Sequence, residues 1–101
     1  MSPAASALLR ALVARAGVAR DRILLIDVRS VDWQSLTFVG ERHQFELRAT
    51  GPNSSEIIDR LCSGLEDAEF SIPGQLVADI NVVGSRDGSK NIIIEALTVG
   101  E

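Results

Sequence analysis

One cysteine, one histidine and one tryptophan among 101 residues leave little of the chemistry from which reactive or metal-binding sites are built. Cys62 has no second cysteine to pair with, so an internal disulfide is excluded and the redox compartment stays open. A zinc site takes three or four His, Cys or carboxylate ligands at short spacings, and His43 with Cys62 cannot supply one. No metal and no cofactor is expected. No stretch approaches the ~20 consecutive apolar residues of a membrane span, and there is no signal-peptide core, so this segment is not expected to insert into a bilayer. Positive charge is also scarce. With a formal net charge of -4 the chain offers no cationic field to a phosphate backbone, which argues against nucleic-acid binding.

The remaining candidates for chemistry are weak. Asp67 and Glu69 are near neighbours in a polar loop, where acids are ordinarily solvated. Gly84-Ser85 and Gly88-Ser89 hint at a phosphate loop but lack the following helix and lysine, and Ser85-Arg86-Asp87-Gly88-Ser89 reads as a hairpin turn. His43 beside Arg42 falls on the inward face of a strand and reads as a partly buried packing residue. Cys62 lies in an apolar helical stripe and reads as core. No catalytic residues are assigned, and the chain reads as non-enzymatic.

What is present is a duplicated pattern. Leu8, Leu9, Leu12, Val13 and Ala16 are echoed 49 positions later by Ile57, Ile58, Leu61, Cys62 and Leu65, each set forming the stripe of an amphipathic helix. The same offset superimposes Phe45 on Ile94, Glu46 on Glu95 and Gly51 on Gly100. Apolar residues at 46% and charged residues at 24% are ordinary for a globular domain. The expectation is therefore one domain over 1–101, with a pseudo-repeat of 1–51 and 52–101, in the α+β class. Two αββ units form a four-stranded antiparallel sheet with two helices on one face, a circularly permuted ferredoxin-like arrangement.

Local signals place the elements. Ser2 followed by Pro3 starts the first helix and Gly17 stops it. Between Asp21 and Trp33, Leu24, Ile26 and Val28 alternate with Leu25, Asp27 and Arg29, predicting a strand that runs on through Leu36 and Phe38 to a turn at Gly40-Glu41. His43, Phe45, Leu47 and Ala49 then line the buried face of a second strand. Asn53 with Glu56 predicts a capping box for the second helix. Pro73-Gly74 marks an edge irregularity, after which Leu76, Ala78, Ile80 and Val82 alternate with Val77, Asp79, Asn81 and Val83. The last strand, Asn91 to Val99, is apolar on both sides.

That double-sided strand motivates an interaction surface. With helices on one side only, Ile93, Leu97 and Val99, together with Val77 and Val83, would leave an oily face for a partner. Trp33 either joins that face, where tryptophan is a favoured anchor, or turns into the core at a kink. Arg10, Arg15, Arg20 and Arg22 precede nearly all the acids, so the N-terminal helix reads either as a structural helix with a solvated Arg face or as a transit or membrane-surface segment.

The order of elements resembles the soluble domain of the PilN and GspL inner-membrane platform proteins of type IV pilus and type II secretion machines. The resemblance runs over about Ala7 to Thr98. It is carried by Leu8-Leu9-Arg10-Ala11-Leu12, Ser35-Leu36-Thr37-Phe38-Val39-Gly40, Phe45-Glu46-Leu47-Arg48-Ala49, and Ile57 through Leu65 followed by Phe70. It implies a periplasmic, non-enzymatic module pairing with itself or with a related ferredoxin-like partner, and it carries over no catalytic residue. In that family a transmembrane helix normally precedes this domain and none lies within residues 1–101, so the expectation is either a segment cut from a longer protein or a resemblance of fold alone. Without the resemblance a cytoplasmic location is expected. The leading function is thus a protein–protein interaction or homodimerisation domain. The alternative is a regulatory domain that binds a small molecule between subunits, and an enzyme built around His43 and nearby acids is the third reading.

Overall fold

The computed structural model describes residues 1–86 and 90–101. The order of elements is α1 (Pro3–Ala16), β1 (Ile23–Gln34), β2 (Val39–Ala49), α2 (Ser54–Cys62), β3 (Gln75–Arg86) and β4 (Asn91–Gly100), with single 3-10 turns at Arg20–Arg22 and Leu65–Asp67. All strand pairs are antiparallel, and the sheet order is β1-β2-β4-β3. Each half supplies one hairpin, and the hairpins join through β2 and β4. This is the α+β arrangement that the repeat predicts. The molecule is elongated, 45 × 23 × 22 Å, because the strands are long.

α1 begins as its sequence dictates. Ser2 Oγ accepts the Ala5 N–H at 3.2 Å, Pro3 occupies the first turn, and Gly17 closes the helix in the left-handed conformation. α2 begins differently. Asn53 adopts φ 62°, so its side chain makes no cap bond and the predicted capping box does not form. A capping residue needs an extended backbone, whereas the short β2–α2 turn uses the left-handed region at Asn53.

Ala5, Leu8, Leu12 and Ala16 of α1 and Ile57, Ile58 and Leu61 of α2 pack with Phe45, Leu47, Ala49, Ile80, Ile92, Ile94 and Ala96 from one face of the sheet. Burial of such a core is the main favourable term in folding. Two arginines fasten the helical layer. Arg15 donates through Nε to the Leu61 carbonyl at 3.3 Å and through Nη2 to the Ser63 carbonyl, at the C-terminal end of α2 where a cation is favoured. Arg22 donates through Nε to the Thr50 carbonyl at 2.7 Å and through Nη2 to the Pro52 carbonyl. Half of the N-terminal arginine set is therefore structural.

Three bulges revise the predicted strand faces. β1 skips Ile26 between Leu25 and Asp27, and β3 skips Ala78 and Val83. A bulge inserts one residue and moves everything beyond it to the opposite face. Ile23, Leu25 and Val28 consequently face the core side, opposite Ala49, Leu47 and Phe45, while Leu24 and Ile26 are exposed. The predicted grouping of Leu24, Ile26 and Val28 is thus incorrect. In β3 the core side takes Val77 and Ile80 rather than Ala78 and Ile80.

The β1–β2 turn also moves. Ser35 N–H bonds the Phe38 carbonyl at 2.9 Å, and Ser35 Oγ accepts the Thr37 and Phe38 N–H groups. The loop is therefore 35–38, and Gly40-Glu41 lies inside β2. The predicted β3–β4 turn falls largely at residues 87–89, outside the described residues, although its flanks Arg86 and Asn91 are paired.

Candidate protein-docking surface

The register writes out the helix-free face row by row in the order β1, β2, β4, β3. At the β1–β2 loop end the first row is Trp33, Gly40, Val99 and Leu76, and the second is Val31, Arg42, Leu97 and Asp79. Arg29, Gln44, Glu95 and Asn81 follow, then Asp27, Glu46, Ile93 and Gly84. The middle of the face is polar, and Arg29 pairs with Asp27 at 3.3 Å. The larger set of exposed apolar side chains lies at the end continuous with the hairpin loop, and Leu24, Ile26 and Val83 are a smaller exposed set toward the other end.

The predicted interface residues separate on this map. Ile93 and Val99 lie on the helix-free face, yet they are only 8% and 5% exposed. Leu97 and Trp33 are half-buried there. Val77 faces the helical side and packs on the core, which corrects its expected placement: the Ala78 bulge separates its face from that of Asp79. Val83 is exposed at its own bulge. The structure thus brings Trp33, Leu97 and Val99 together and leaves Val77 and Val83 elsewhere.

Sequence reasoning misses the most exposed apolar residues. Leu36 at the hairpin tip is fully exposed, Val39 and Val31 are largely so, and Phe38 and Leu76 are about half exposed. One signal is present in the sequence: Trp33 to Gly40 is an eight-residue stretch without a charge. Gly40 itself is set by β4. A Cβ there would lie 1.9 Å from the Thr98 carbonyl oxygen, so only glycine permits this approach of β2 to β4.

On the other layer two grooves of about 350 Å³ each lie in related places. One runs between α1 and the start of β1, lined by Leu9, Val13, Val18 and Leu25 with Arg10 and Arg20 among its walls. The other is lined by Cys62, Leu65 and Val82 with Glu66 and Asp67. Val13 and Cys62 are the repeat-equivalent residues of the two grooves, 49 positions apart. Burial pushes the Cys62 thiol pKa up, nearby Asp59 adds to the rise and Arg15 opposes it. The shift disfavours the thiolate, the reactive form of the side chain.

His43 is fully buried, more deeply than its sequence context predicts. Its Nδ1 lies 2.7 Å from Ser30 Oγ and its Nε2 2.8 Å from Thr98 Oγ1, and its ring stacks with Phe45 at 6.0 Å between centroids. In the neutral ring one nitrogen donates and the other accepts, and a hydroxyl can serve either. Burial lowers the His43 pKa, and Glu41 opposes the shift. The arrangement ties β1, β2 and β4 together, and neither groove includes His43. Among the described residues no three His, Cys, Asp or Glu side chains gather to hold a metal ion. Among the same residues no helix is long and apolar enough to cross a membrane.

No family model, curated protein or solved structure matches the chain. The functional reading therefore rests on the surface itself.

Proposed function

We propose that this chain is a non-enzymatic protein–protein interaction domain that docks through the β1–β2 hairpin and the adjoining end of the helix-free sheet face. The partner is a second copy or a related α+β domain, as in a pilus or secretion assembly platform. The observation that carries this reading is the convergence at one end of the molecule of Val31, Trp33 and Leu76 on the helix-free face with Leu36 and Phe38 of the adjoining hairpin loop, beside exposed Val39 on the opposite face of β2. Exposed apolar residues scattered singly are unremarkable, whereas a contiguous group at a projecting end has a solvation cost that a partner removes.

Sedimentation over a wide concentration range tests the reading, with Val31→Glu and Leu36→Lys as variants at exposed positions that leave the core intact. The wild-type chain is expected to associate and both variants to remain monomeric. A wild-type chain that stays monomeric throughout, with variants indistinguishable from it, overturns the proposal of self-association.

A further inference from the structure

The hairpin tip and the α1–β1 groove are both apolar and carry opposite charge at their margins, and they lie at opposite ends of the same strand. The tip is a knob: Leu36 fully exposed, Phe38 beside it, no charge from Trp33 to Gly40, and Asp32 and Glu41 immediately flanking. The groove is apolar along Leu9, Val13, Val18 and Leu25, and it carries Arg10 and Arg20. The guanidinium groups of those two arginines have no hydrogen-bond or ion-pair partner among the described residues, unlike those of Arg15 and Arg22, which are spent on backbone carbonyls.

We infer that the hairpin tip of one molecule inserts Leu36 and Phe38 into the α1–β1 groove of a second copy, with Asp32 and Glu41 meeting Arg10 and Arg20. The inference rests on the interaction reading above and names its occupant. A molecule cannot fill its own groove. At about 3.3 Å per residue, the strand between Leu25 and Leu36 holds the two ends on the order of 35 Å apart. A two-fold groove-to-groove contact is also disfavoured, because it would bring two unpaired arginine sets together. A tip-in-groove contact is heterologous, so each joined pair keeps one free tip and one free groove, and assembly proceeds as an open chain or closes as a ring.

Complementation tests this directly. Leu36→Lys spoils the tip and leaves the groove, while the double variant Arg10→Glu/Arg20→Glu spoils the groove and leaves the tip; all three positions are exposed, and circular dichroism checks that each variant is folded. Wild-type protein at low salt is expected to grow past the dimer with concentration and to shrink in high salt. Each variant alone is expected to be monomeric. Their equimolar mixture is expected to form a heterodimer that grows no further, since it holds one intact tip and one intact groove in contact.

If Leu36→Lys abolishes association but the arginine variant associates like wild type, the tip docks elsewhere: the groove inference fails and the interaction reading stands. Assembly that stops at a dimer and is not restored by mixing indicates a two-fold contact, which likewise overturns the groove inference and leaves the interaction reading standing. A monomeric wild type overturns both, and a rise in its melting temperature with anilinonaphthalene sulfonate that Arg10→Glu/Arg20→Glu abolishes assigns the groove to a small apolar anion.

Discussion

Phe45 and Ile94 face each other across the central β2–β4 pair, and they are repeat-equivalent residues 49 positions apart. In an antiparallel pairing only the residues on a two-fold axis can pair with their own equivalents. The pseudo-dyad of the molecule therefore passes through this contact. Both side chains are fully buried, and each half contributes one helix and one hairpin to the common core.

The two halves are expected to unfold together. Phe45→Ala removes about 3–5 kcal/mol and Ile94→Ala about 2–5 kcal/mol, each a large share of the ~5–15 kcal/mol that holds a domain folded. Because both side chains line one site, the double variant loses less than the sum, by about 0.5–3 kcal/mol. Urea denaturation followed by circular dichroism and by Trp33 fluorescence checks this: single coincident transitions for all folded variants are expected. Separate transitions by the two probes would show that the halves are independent units.

The dyad is legible in the sequence because a repeat shows itself in local periodicity. The stripe Leu8, Leu12 and Ala16 and its echo Ile57, Leu61 and Leu65 need no partner to be recognised, and Ser2, Pro3 and Gly17 mark helix ends by their own chemistry. The bulges are not legible. Leu24, Ile26 and Val28 alternate perfectly in sequence, yet the positions opposite Leu47 and Phe45 are taken by Leu25 and Val28, an odd spacing that only the neighbouring strand imposes. Gly40 misleads for a similar reason: glycine suggests a turn, whereas its actual cause is the Thr98 backbone on β4. The docking surface suffers most, since Leu36 and Phe38 continue a strand-like pattern until the loop between them is known.

The four N-terminal arginines are expected to divide by role. Arg15→Met and Arg22→Met each remove charge-assisted bonds to backbone carbonyls and are expected to cost about 1–2 kcal/mol, reduced from a buried value because Arg15 and Arg22 remain partly open to water. Arg10→Met and Arg20→Met hold nothing and are expected to fall within about 0.5 kcal/mol of wild type. Four thermal or urea titrations decide it, and a uniform loss across all four positions would refute the division.

His43 makes stability depend on pH in a stated direction. Its folded pKa is lowered from 6.5 by burial, so the unfolded chain takes up a proton more readily than the folded one as pH falls. By linkage the stability conferred by the neutral ring is fully present above 6.5 and declines on acidification below it, with a slope of at most about 1.4 kcal/mol per pH unit for one proton. The hydroxyls of Ser30 and Thr98 can accept from a protonated ring and soften the loss, but they do not restore its hydration. Urea midpoints measured from pH 8 down to about 5, above the titration of ordinary carboxylates, should fall for wild type and stay level for His43→Gln. Equal slopes for the two proteins would assign the acid sensitivity to other groups.

Gly40→Ala is expected to damage the sheet where Gly84→Ala does not. The added methyl at position 40 would meet the Thr98 carbonyl oxygen at 1.9 Å and the Val99 Cα at 2.8 Å, both backbone atoms of a central strand that cannot swing aside. At position 84 the nearest atom is Ile93 Cδ1 at 4.0 Å, an ordinary contact. β2 and β4 must separate locally to admit the first methyl, an overpacking cost of about 1–3 kcal/mol. The separation moves Thr98 away from His43 Nε2, 2.8 Å distant in the intact sheet, so the ring loses its β4 partner as well. Gly40→Ala is therefore expected to lower the urea midpoint and to shift the His43 ring resonances in proton–nitrogen NMR spectra, while Gly84→Ala leaves both near wild type. If the two substitutions behaved alike, the close approach of β2 to β4 at the hairpin end would be wrong, and the tip it supports would be placed differently.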